Sequence, residues 1–360
     1  MSKDKLQPIR NQIDAIDLKL LQLIQRRGGL AQKIGEIKGL LQKNTSLYRP
    51  DREAEILRNL IKLNNGTMPD QKIKFIFKEI ISACLSLEEQ LTVAYLGPPG
   101  THSEAALVQH FGSSVSEDPR STIEDVFSQV RGGTADFGLV PVENSSEGVV
   151  NATLNCLADE HIKICGESYL AIHHQLASAK KFKLSDARIV ASHPQAIGQC
   201  SKWLDANLPN VERKLTSSTT EAAHFVSQEK NSLCIISSLA LSRYNLYQHH
   251  QNIEDFSSNK TRFLIIGNID VEPTSLDKTS FLIQTVNKPG ALIELLAPFK
   301  KRKINLSRIE TRPSRSSPEA HNFFIDSDGH QNDIKLKKVI AELRAVSSSV
   351  RILGSYPAES

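Results

Sequence analysis

Apolar residues recur at alternating intervals of three and four positions over the first forty residues of the chain. Their series is Leu6, Ile9, Ile13, Ile16, Leu20, Leu23, Leu30, Ile34, Ile37 and Leu41. This spacing predicts one long helix over residues 6 to 41, with an apolar stripe, here called the seam, that packs against other helices. The position after Leu23 in the series holds Arg27, which puts a permanent positive charge on a surface predicted to be buried.

Two further stretches have helical spacing, and with the first they predict an all-helical unit of three helices over residues 1–91. The stretch "RPDREAEILRNLIKL" predicts a second helix with Pro50 in its first turn, where a backbone N–H would have no partner anyway. The stretch "PDQKIKFIFKEIISACLSLEEQL" predicts a third helix that opens at Asp70. Three helices of this length leave much apolar surface for a partner chain.

Short apolar runs alternate with glycine-rich turns and helical stretches from residue 92 onward. The runs lie in "LTVAYLGPPGTHSEAALVQHF", "TADFGLVPVENSSEG", "ARIVASHPQAIGQCSKWL", "NSLCIISSLA" and "RFLIIGN". This alternation predicts an α/β domain over residues 92–271 with a mostly parallel sheet. After a linker, "EPTSLDK", the order strand, helix, strand, strand, helix, strand predicts an α+β ferredoxin-like domain over residues 278–357. The protein is therefore predicted to be multidomain.

Composition and charge exclude several classes of protein. The sequence has no run of eighteen apolar residues and no apolar secretion signal, so we expect a cytoplasmic protein with no membrane contact. Five scattered cysteines without a CxxC pair indicate neither disulfides nor a zinc site, and no metal is expected. Residues 1–91 carry 16 basic and 11 acidic side chains, a net charge of +5 that is too small to predict nucleic-acid binding.

Two interpretations of Arg27 follow from its neighbours in the sequence. It could pair with an acid on another helix and thereby set register or partner choice. Alternatively, it could bind an anionic ligand together with Lys38, which lies eleven residues on and so on nearly the same helix face. Arg10 would lie ~26 Å from Arg27 along one straight helix. If Arg10 serves the same pocket, it must come from an antiparallel partner chain, which predicts an intertwined homodimer with two composite sites.

The stretches "IRNQIDAIDLKLLQLIQRRGGLAQKIGEIK", "YRPDREAEIL" and "IFKEIISACLSLEEQ" resemble the all-helical chorismate mutase family. The resemblance implies a cofactor-free rearrangement of chorismate to prephenate, with arginines on the substrate carboxylates and Lys38 and Glu88 at the breaking ether oxygen. Only a protonated Glu88 could donate there, so we expect mutase activity to fall as pH rises. The implied site residues are Arg10, Arg27, Lys38, Arg52, Glu53 and Glu88.

Five motifs across residues 92–270 resemble the prephenate dehydratase family in order and spacing. They are "LGPPGTHSE", "GLVPVENSSEG", "SHPQAIGQC", "SSTTEAAHFV" and "NKTRFLIIG". The resemblance implies two α/β lobes, like those of periplasmic binding proteins, with the active site in the cleft between them. There prephenate loses its ring carboxylate as CO₂ and its hydroxyl as water, giving phenylpyruvate without a cofactor.

The same resemblance implies which residues act in that cleft. Thr261 would donate to the departing hydroxyl, and Arg262 would bind a carboxylate or serve local structure. Phe263 completes this triplet, and the further candidates are Glu143, Asn144, Ser192, His193 and Gln195. The helix start at Thr101 and Ser103 would bind a carboxylate through amides and hydroxyls, or it is only a capping turn.

Three of these candidates also have a purely structural interpretation. Asn144 and Ser192 could simply tie loops together. The ring of His193, which precedes a proline, could bond the backbone of a turn.

In the C-terminal domain, "NKPGAL" and "IETRPS" resemble an ACT domain of the kind that follows this dehydratase. The resemblance implies that L-phenylalanine binds between paired ACT domains as a feedback inhibitor and favours a closed, inactive arrangement of the dehydratase lobes. The implied effector residues are Gly290, Ala291, Leu292, Asn305, Leu306, Glu310, Thr311 and Arg312. Gly290 alone could equally be a helix-start glycine.

The combined expectation is a bifunctional enzyme that forms a homodimer or a higher oligomer. A mutase joined to a dehydrogenase is disfavoured because no dinucleotide fingerprint follows any strand. An amino-acid-sensing regulator is the rival of a different class, but the first unit's helices are too long for a helix-turn-helix and would give Arg27 no purpose. A cleft kept only for sensing is a further alternative, which Thr261→Ala separates from a live site.

Overall fold

The computed structural model describes residues 3–40, 48–314 and 320–359. Its internal contacts divide the chain into two units. The first comprises the chain up to Leu91 together with Phe111–Ser116, and the second comprises Thr92–His110 and the chain from Glu117 onward. The main division therefore falls between Leu91 and Thr92.

The first unit contains three helices, as the helical spacing predicts. They are α1 (Lys3–Leu40), α2 (Pro50–Leu63) and α3 (Asp70–Leu85). Pro50 lies in the first turn of α2, and Asp70 opens α3, as predicted. Helix α1 begins at Lys3, before the seam, while Leu41 at the predicted end of the seam lies outside the described residues.

Most of the seam lies uncovered in the part of the chain that the structure describes. The exposed members of the seam are Leu6, Ile9, Ile13, Ile16, Leu20, Leu23, Leu30, Ile34 and Ile37. With three further leucines and isoleucines of α1, these side chains are each 40–60% exposed. Ala31, where α1 lies closer to α3, is buried. Exposed apolar stripes of this kind are typical of interaction surfaces.

The second unit begins with the first lobe of an α/β domain, which is built on a six-stranded sheet. The strands are β1 (Thr92–Leu96), β2 (Ser116–Arg120), β3 (Phe137–Asn144), β4 (Gly148–Val149), β5 (Lys163–Ala171) and β11 (Lys260–Gly267). Their order is β2-β1-β3-β11-β5, with β4 paired to β3. The helices are α4 (His102–Phe111), α5 (Ile123–Arg131) and α6 (Asn151–Asp159). Apolar side chains of α5, α6 and the strands between them form its core.

The second lobe has a five-stranded sheet with the order β10-β6-β9-β7-β8. The strands are β6 (Gln175–Ser178), β7 (Ile189–Ser192), β8 (Glu212–Leu215), β9 (Ser232–Ile236) and β10 (Tyr247–His250). The helices are α7 (Pro194–Gln199), α8 (Ser201–Asn207), α9 (Thr219–Gln228) and α10 (Ser238–Arg243). The two-lobed α/β arrangement is therefore the predicted one.

The prediction of a mostly parallel sheet is wrong for both lobes, because strands pair in both directions. Strand β1 is parallel to β3, and β7 is parallel to β8 and β9. Strand β11 is antiparallel to β3 and β5, and β6 is antiparallel to β9 and β10. The chain passes between the lobes twice, after β5 and before β11, so β11 returns in the reverse direction. Alternation of strands and helices along the sequence does not reveal such a crossing.

The C-terminal part of the second unit is an α+β domain with the predicted element order. Its elements are β12 (Asp277–Val286), α11 (Ala291–Arg302), β13 (Leu306–Pro313), β14 (Ala320–Asp328), α12 (Ile334–Val346) and β15 (Ser349–Pro357). The antiparallel sheet has the order β13-β14-β12-β15, which makes β13 an edge strand. Apolar residues of α11 and α12 pack against the strands and form the core of this domain.

Within residues 3–40, 48–314 and 320–359, no helix is long and apolar enough to cross a membrane. These residues also contain no group of three or more histidine, cysteine or acidic side chains placed to hold a metal ion.

Candidate active sites

In the first unit, Lys38 and Glu88 lie close together. Lys38 lies in the last turn of α1. Helix α3 ends at Leu85, so Glu88 lies in the turn after the helix and not within it as predicted. Lys38 Nζ is 3.7 Å from Glu88 Oε2, and that oxygen is buried without a hydrogen-bond partner among the described residues. An acid and a cation held this way can act on one ligand oxygen.

Gly35 allows α1 to approach Glu88 closely. A Cβ atom at this position would lie 3.2 Å from Glu88 Cα and 3.3 Å from Glu88 Cβ. Any larger residue would push the acid away from Lys38. From the sequence alone this glycine only lowers helix propensity, so its packing role was missed.

Within the described residues, Arg27 is not paired with an acid on another helix. Its Nη1 donates instead to the carbonyl of Ile80 in α3 at 3.4 Å. The interpretation in which Arg27 binds an anionic ligand stays a prediction. Arg10 is exposed, and α1 is continuous between them, so the two lie ~26 Å apart along the axis. One copy of the chain therefore does not bring Arg10 to the Lys38 end of the helix.

The two candidates of α2 interact with charged side chains other than Lys38 and Glu88. Arg52 is exposed and lies 3.8 Å from Glu55, one helical turn on. Burial raises the pKa of Glu53, and the charges of Lys78 and Lys74 lower it by less. Neither side chain contacts Lys38 or Glu88 in the described part of the chain.

In the first lobe of the second unit, Thr261 and Asn144 form a buried pair at the ends of β11 and β3. They lie opposite each other in the strand register. Asn144 Nδ2 donates to Thr261 Oγ1 at 2.8 Å, while Asn144 Oδ1 accepts from the N–H groups of Ser146 and Glu147 at 2.9 and 3.1 Å. The amide is thus oriented by the backbone, and the threonine hydroxyl proton is left to donate elsewhere. We call this the hydroxyl–amide pair.

The neighbouring residues of the same strands face the other side of the sheet. Arg262 is buried; its Nη1 donates to Asp326 at 2.6 Å and its Nε to Glu167 at 2.9 Å. Glu143 accepts from Arg308 at 3.1 Å. These bonds agree with the predicted alternative in which Arg262 serves local structure.

Strand alternation puts consecutive side chains on opposite faces of a sheet. It thus separates Glu143 and Arg262 from the hydroxyl–amide pair, although each adjoins a member of the pair in sequence. Phe263, the last residue of the triplet, is buried in the lobe, where a bulge shifts the register between Arg262 and Phe263.

In the second lobe, two candidates make the bonds that their structural interpretations predicted. Ser192 Oγ, at the end of β7, donates to the carbonyl of Ile235 in β9 at 2.7 Å. His193 caps α7, and its Nδ1 accepts from the N–H of Gln195 at 3.3 Å. Gln195 itself is exposed in the first turn of α7. These bonds fix the β7–α7 corner.

The start of α4 is held by residues of the second lobe. Thr220 Oγ1 donates to the carbonyl of Pro99, and Ser237 Oγ donates to the carbonyl of Gly100, each at 2.8 Å. Arg243 pairs with Glu104 at 2.6 Å. Sequence patterns did not point to this set of contacts between the lobes.

Of the two predicted residues at this helix start, Ser103 is buried, and Thr101 has a buried Oγ1 that lacks a hydrogen-bond partner in the described part of the chain. Its hydroxyl is therefore available to a ligand in the cleft.

Two histidines next to the cleft are buried and neutral. His174 lies where the chain crosses between the lobes, and its Nε2 lies 2.8 Å from Gln199 Oε1. The ring of His102 packs edge-on against the ring of His174, with centroids 5.5 Å apart. Burial lowers the pKa of His102 to about 3, with smaller effects from His174 and His173. Neither histidine was predicted to have a role, because a lone histidine in a sequence does not show its burial.

Comparison with known proteins matches both units to enzyme families. A chorismate mutase type II family model matches residues 9–89, and a prephenate dehydratase family model matches residues 93–270. A bifunctional chorismate mutase/prephenate dehydratase of Pseudomonas aeruginosa is 45% identical over 358 residues, which cover 99% of this chain and 98% of that protein. The chain belongs to this bifunctional family.

Two further relatives agree with that assignment. A bifunctional chorismate mutase/prephenate dehydratase of Escherichia coli is 30% identical over 99% of this chain and 97% of that protein. The crystal structure of prephenate dehydratase from Arthrobacter aurescens in complex with L-Phe is 34% identical, with a TM-score of 0.69 over 74% of this chain and 90% of that one. The first unit is thus the mutase domain, the two-lobed part is the dehydratase domain, and the chain has both enzymatic activities.

Three of the predicted effector residues of the bifunctional chain lie at one cavity of the C-terminal domain. Gly290, Ala291 and Leu292 line a cavity of about 210 Å³ at the start of α11. Gly290 has a φ of +83°, a left-handed conformation that side chains disfavour, so a glycine is required here for the turn itself. The cavity and the helix-start interpretation of this glycine are therefore compatible.

The remaining effector candidates lie on or next to the edge strand β13. They are Asn305, Leu306, Glu310, Thr311 and Arg312. None of them lines the Gly290 cavity, whose described lining comes from β12, β14 and α11. Arg312 Nη1 instead lies 3.3 Å from the carbonyl of Asn151 in α6 of the dehydratase domain. One copy of the chain does not join the two halves of the predicted effector site.

Proposed function

We propose that the chain rearranges chorismate to prephenate at the Lys38–Glu88 pair and converts prephenate to phenylpyruvate at the hydroxyl–amide pair. L-phenylalanine inhibits the second reaction by binding at the C-terminal domain, which acts as an ACT domain. The observation that carries the dehydratase assignment is the orientation of Asn144, which accepts two backbone bonds and directs its Nδ2 to Thr261.

In the mutase domain the reaction needs no nucleophile and no proton transfer. It needs a pocket that holds the compact conformer of chorismate and stabilises charge on the ether oxygen as the C–O bond breaks. Lys38 supplies the positive charge, and Glu88 lies beside it at the same ligand oxygen. Arg27, on the same face of α1, binds a carboxylate of the substrate. Glu88 Oε2 is buried and has no hydrogen-bond partner among the described residues, which supports this assignment.

Two substitutions test the role of Glu88. Glu88→Gln keeps a hydrogen-bond donor beside Lys38, whereas Glu88→Ala removes the polar group. Mutase kcat should survive in Glu88→Gln and fall in Glu88→Ala, while conversion of added prephenate stays unchanged in both. Equal mutase losses in the two variants contradict the assignment.

The mutase site also requires a second copy of the chain. Arg10 lies ~26 Å from Arg27 on one helix, so it reaches the pocket only from an antiparallel partner. The exposed seam of α1 is the surface on which such a partner packs. We therefore propose an intertwined homodimer with two composite mutase sites.

In the dehydratase domain, Thr261 donates a hydrogen bond to the hydroxyl of prephenate. The C–O bond to that hydroxyl breaks, and the departing oxygen takes up one proton from solvent and leaves as water, while the bond to the ring carboxylate breaks and CO₂ leaves. The electron pair of that second bond completes the aromatic ring. Thr101, whose hydroxyl has no partner among the described residues, binds a substrate carboxylate at the start of α4.

Effector binding is assigned to the C-terminal domain. The Arthrobacter aurescens prephenate dehydratase was solved in complex with L-Phe. In this chain, the cavity at Gly290 and the edge strand β13 are complementary halves that two C-terminal domains would bring together. We also propose a cytoplasmic location, which five cysteines buried as thiols support.

One assay tests the three parts of the proposal. The purified chain is incubated with chorismate, and chorismate loss and phenylpyruvate formation are followed with and without L-phenylalanine. Phenylpyruvate that forms without L-phenylalanine and is suppressed by it supports all three parts. Prephenate that accumulates without phenylpyruvate contradicts the dehydratase assignment, and no loss of chorismate points to a sensor.

A further inference from the structure

Directly behind the hydroxyl–amide pair, two ion pairs join the dehydratase sheet to the C-terminal sheet. Arg262 pairs with Asp326 at 2.6 Å, and Glu143 pairs with Arg308 at 3.1 Å. Arg262 lies opposite Glu143 in the dehydratase sheet, and Arg308 lies opposite Asp326 in the C-terminal sheet. The four side chains form a set of alternating charge, which we call the charge quartet.

The quartet is reinforced by side chains of two more strands. Glu167 of β5 accepts from Arg262 at 2.9 Å and from Lys278 of β12 at 2.7 Å, and Ser280 of β12 donates to Asp326 at 2.6 Å. The side chains of Arg262, Asp326 and Glu167 are 7, 6 and 0% exposed. Loss of one partner would leave a buried charge uncompensated, so the pairs hold the two sheets in one relative position.

Strand geometry connects the quartet to the chemistry. Arg262 follows Thr261 in β11, and Glu143 precedes Asn144 in β3. In both strands, the two consecutive side chains lie on opposite faces of the sheet. A displacement of the quartet therefore displaces the hydroxyl–amide pair through shared backbone. On the other side, Arg308 lies in β13, the strand that also carries the predicted effector residues.

We propose that the charge quartet couples the C-terminal domain to dehydration, with Arg308 and Asp326 as positioning residues for the hydroxyl–amide pair. The inference rests on the proposed function of the two domains. In the effector-free enzyme the quartet keeps the pair aligned. When the effector displaces β13, Arg308 moves with the strand, and Glu143 carries the displacement to β3.

The test uses the more exposed half of the quartet, where a substitution leaves no fully buried charge. Arg308→Met keeps the aliphatic stem and removes the charge. We expect kcat with prephenate to fall about tenfold with KM nearly unchanged, and half-inhibition to need about tenfold more L-phenylalanine. Arg308→Lys keeps a positive charge opposite Glu143 and should retain most of both values. A residue that only holds the domains together predicts neither the selective loss of kcat in Arg308→Met nor its retention in Arg308→Lys.

Glu359→Gln is the matched control. Glu359 accepts from the N–H of Tyr169 at 2.7 Å, also between the C-terminal segment and the dehydratase domain but outside the quartet. Its variant should keep the wild-type kcat and inhibition, and mutase activity serves as the concentration standard for every variant. A wild-type kcat in Arg308→Met, an equal loss in Glu359→Gln, or an equal loss in Arg308→Lys overturns the proposal.

Failure of the proposed function gives a different result. If the wild-type enzyme makes phenylpyruvate but is not inhibited by L-phenylalanine, the proposed effector is wrong. The kcat comparison alone then tests the positioning role. If no phenylpyruvate forms at all, amide hydrogen exchange decides. Faster exchange in β11 but not in β9 of Arg308→Met supports the quartet, and unchanged exchange in β11 contradicts it.

Discussion

The mutase and dehydratase domains differ in how much of each candidate site lies within one copy of the chain. In the dehydratase domain, the hydroxyl–amide pair is buried, and the amide has its own backbone donors. In the mutase domain, Glu88 Oε2 has no hydrogen-bond partner in the described residues, Arg10 is far from the pocket, and the seam of α1 is exposed. One copy of the chain thus brings Asn144 and Thr261 of the dehydratase domain together, whereas it leaves Arg10 of the mutase domain far from Lys38 and Glu88.

The largest effect is expected for Thr261→Ala. Loss of the donor to the departing hydroxyl should lower dehydratase kcat by about 10³-fold, while mutase activity stays at the wild-type value because it resides in the other domain. Thr261→Ser, which keeps the hydroxyl, is the control and should retain most of the activity. Both rates are measured on one preparation, and a parallel loss of the mutase would mean misfolding.

Lys38→Met should have the reciprocal effect. Removing the cation beside Glu88 should lower mutase kcat by about 10²-fold, because a charge-assisted bond contributes about 1.5–3 kcal/mol. Conversion of added prephenate should not change. Lys33→Met changes an exposed lysine of the same helix and should leave both rates intact. Equal losses in the two variants would contradict a specific role for Lys38.

A charge on the seam should make mutase activity depend on protein concentration much more than dehydratase activity does. Ile16→Asp places a carboxylate on the surface proposed for the partner, so the dimer should dissociate on dilution and mutase activity should drop about tenfold, a coupling of about 1.4 kcal/mol. Dehydratase activity should depend much less on dilution. Gln12→Asp, at an exposed polar position of α1, is the control, and sedimentation velocity gives the oligomeric state. An Ile16→Asp protein with wild-type mass and mutase activity would contradict the intertwined dimer.

The smallest expected effect is a loss of stability of the dehydratase domain in acid. Burial lowers the pKa of His102 from 6.5 to about 3, so between these values the unfolded chain binds a proton that the folded chain does not. The stabilising contribution is complete above pH 6.5 and is lost as pH falls, by about 1.4 kcal/mol per pH unit. The mutase domain has no histidine in residues 1–91 and lacks this effect.

Thermal unfolding at pH 7.5 and 5.5 measures that loss. His102→Gln should reduce the pH dependence of the dehydratase transition, and His161→Gln, at an exposed histidine, should not. An unchanged pH dependence in His102→Gln would mean that another group accounts for the acid sensitivity.

Much of the fold and part of the site were predictable from patterns within single segments. The three helices and the element order of the C-terminal domain follow from local periodicity, and the resemblance to a dehydratase family implied the two lobes. Of the residues named as candidates, Lys38 lies near Glu88 in one unit, and Asn144 bonds Thr261 in the other. The prediction failed at parallel pairing, because the pairing direction depends on where the chain crosses between lobes and not on the sequence of any one strand.

Motif residues were harder to divide into those that face the substrate and those that do not. Thr261 and Arg262 adjoin in one motif, yet strand alternation sends them to opposite faces, and a buried acid on another domain, Asp326, decides the role of Arg262. Gly35 also depends on a distant contact. A glycine fits at this position because Glu88, more than fifty residues on, approaches it closely.

The sequence by itself determined the order of the elements, the separation into domains and the residue types available for each reaction, because backbone periodicity and hydrophobic spacing act over short distances. Only the tertiary structure decided which of those residues meet. It aligned Asn144 with Thr261, turned Glu143 and Arg262 toward the C-terminal domain, and left the seam of α1 exposed. Such contacts depend on strand register and on surfaces brought together from distant parts of the chain, which no single segment encodes.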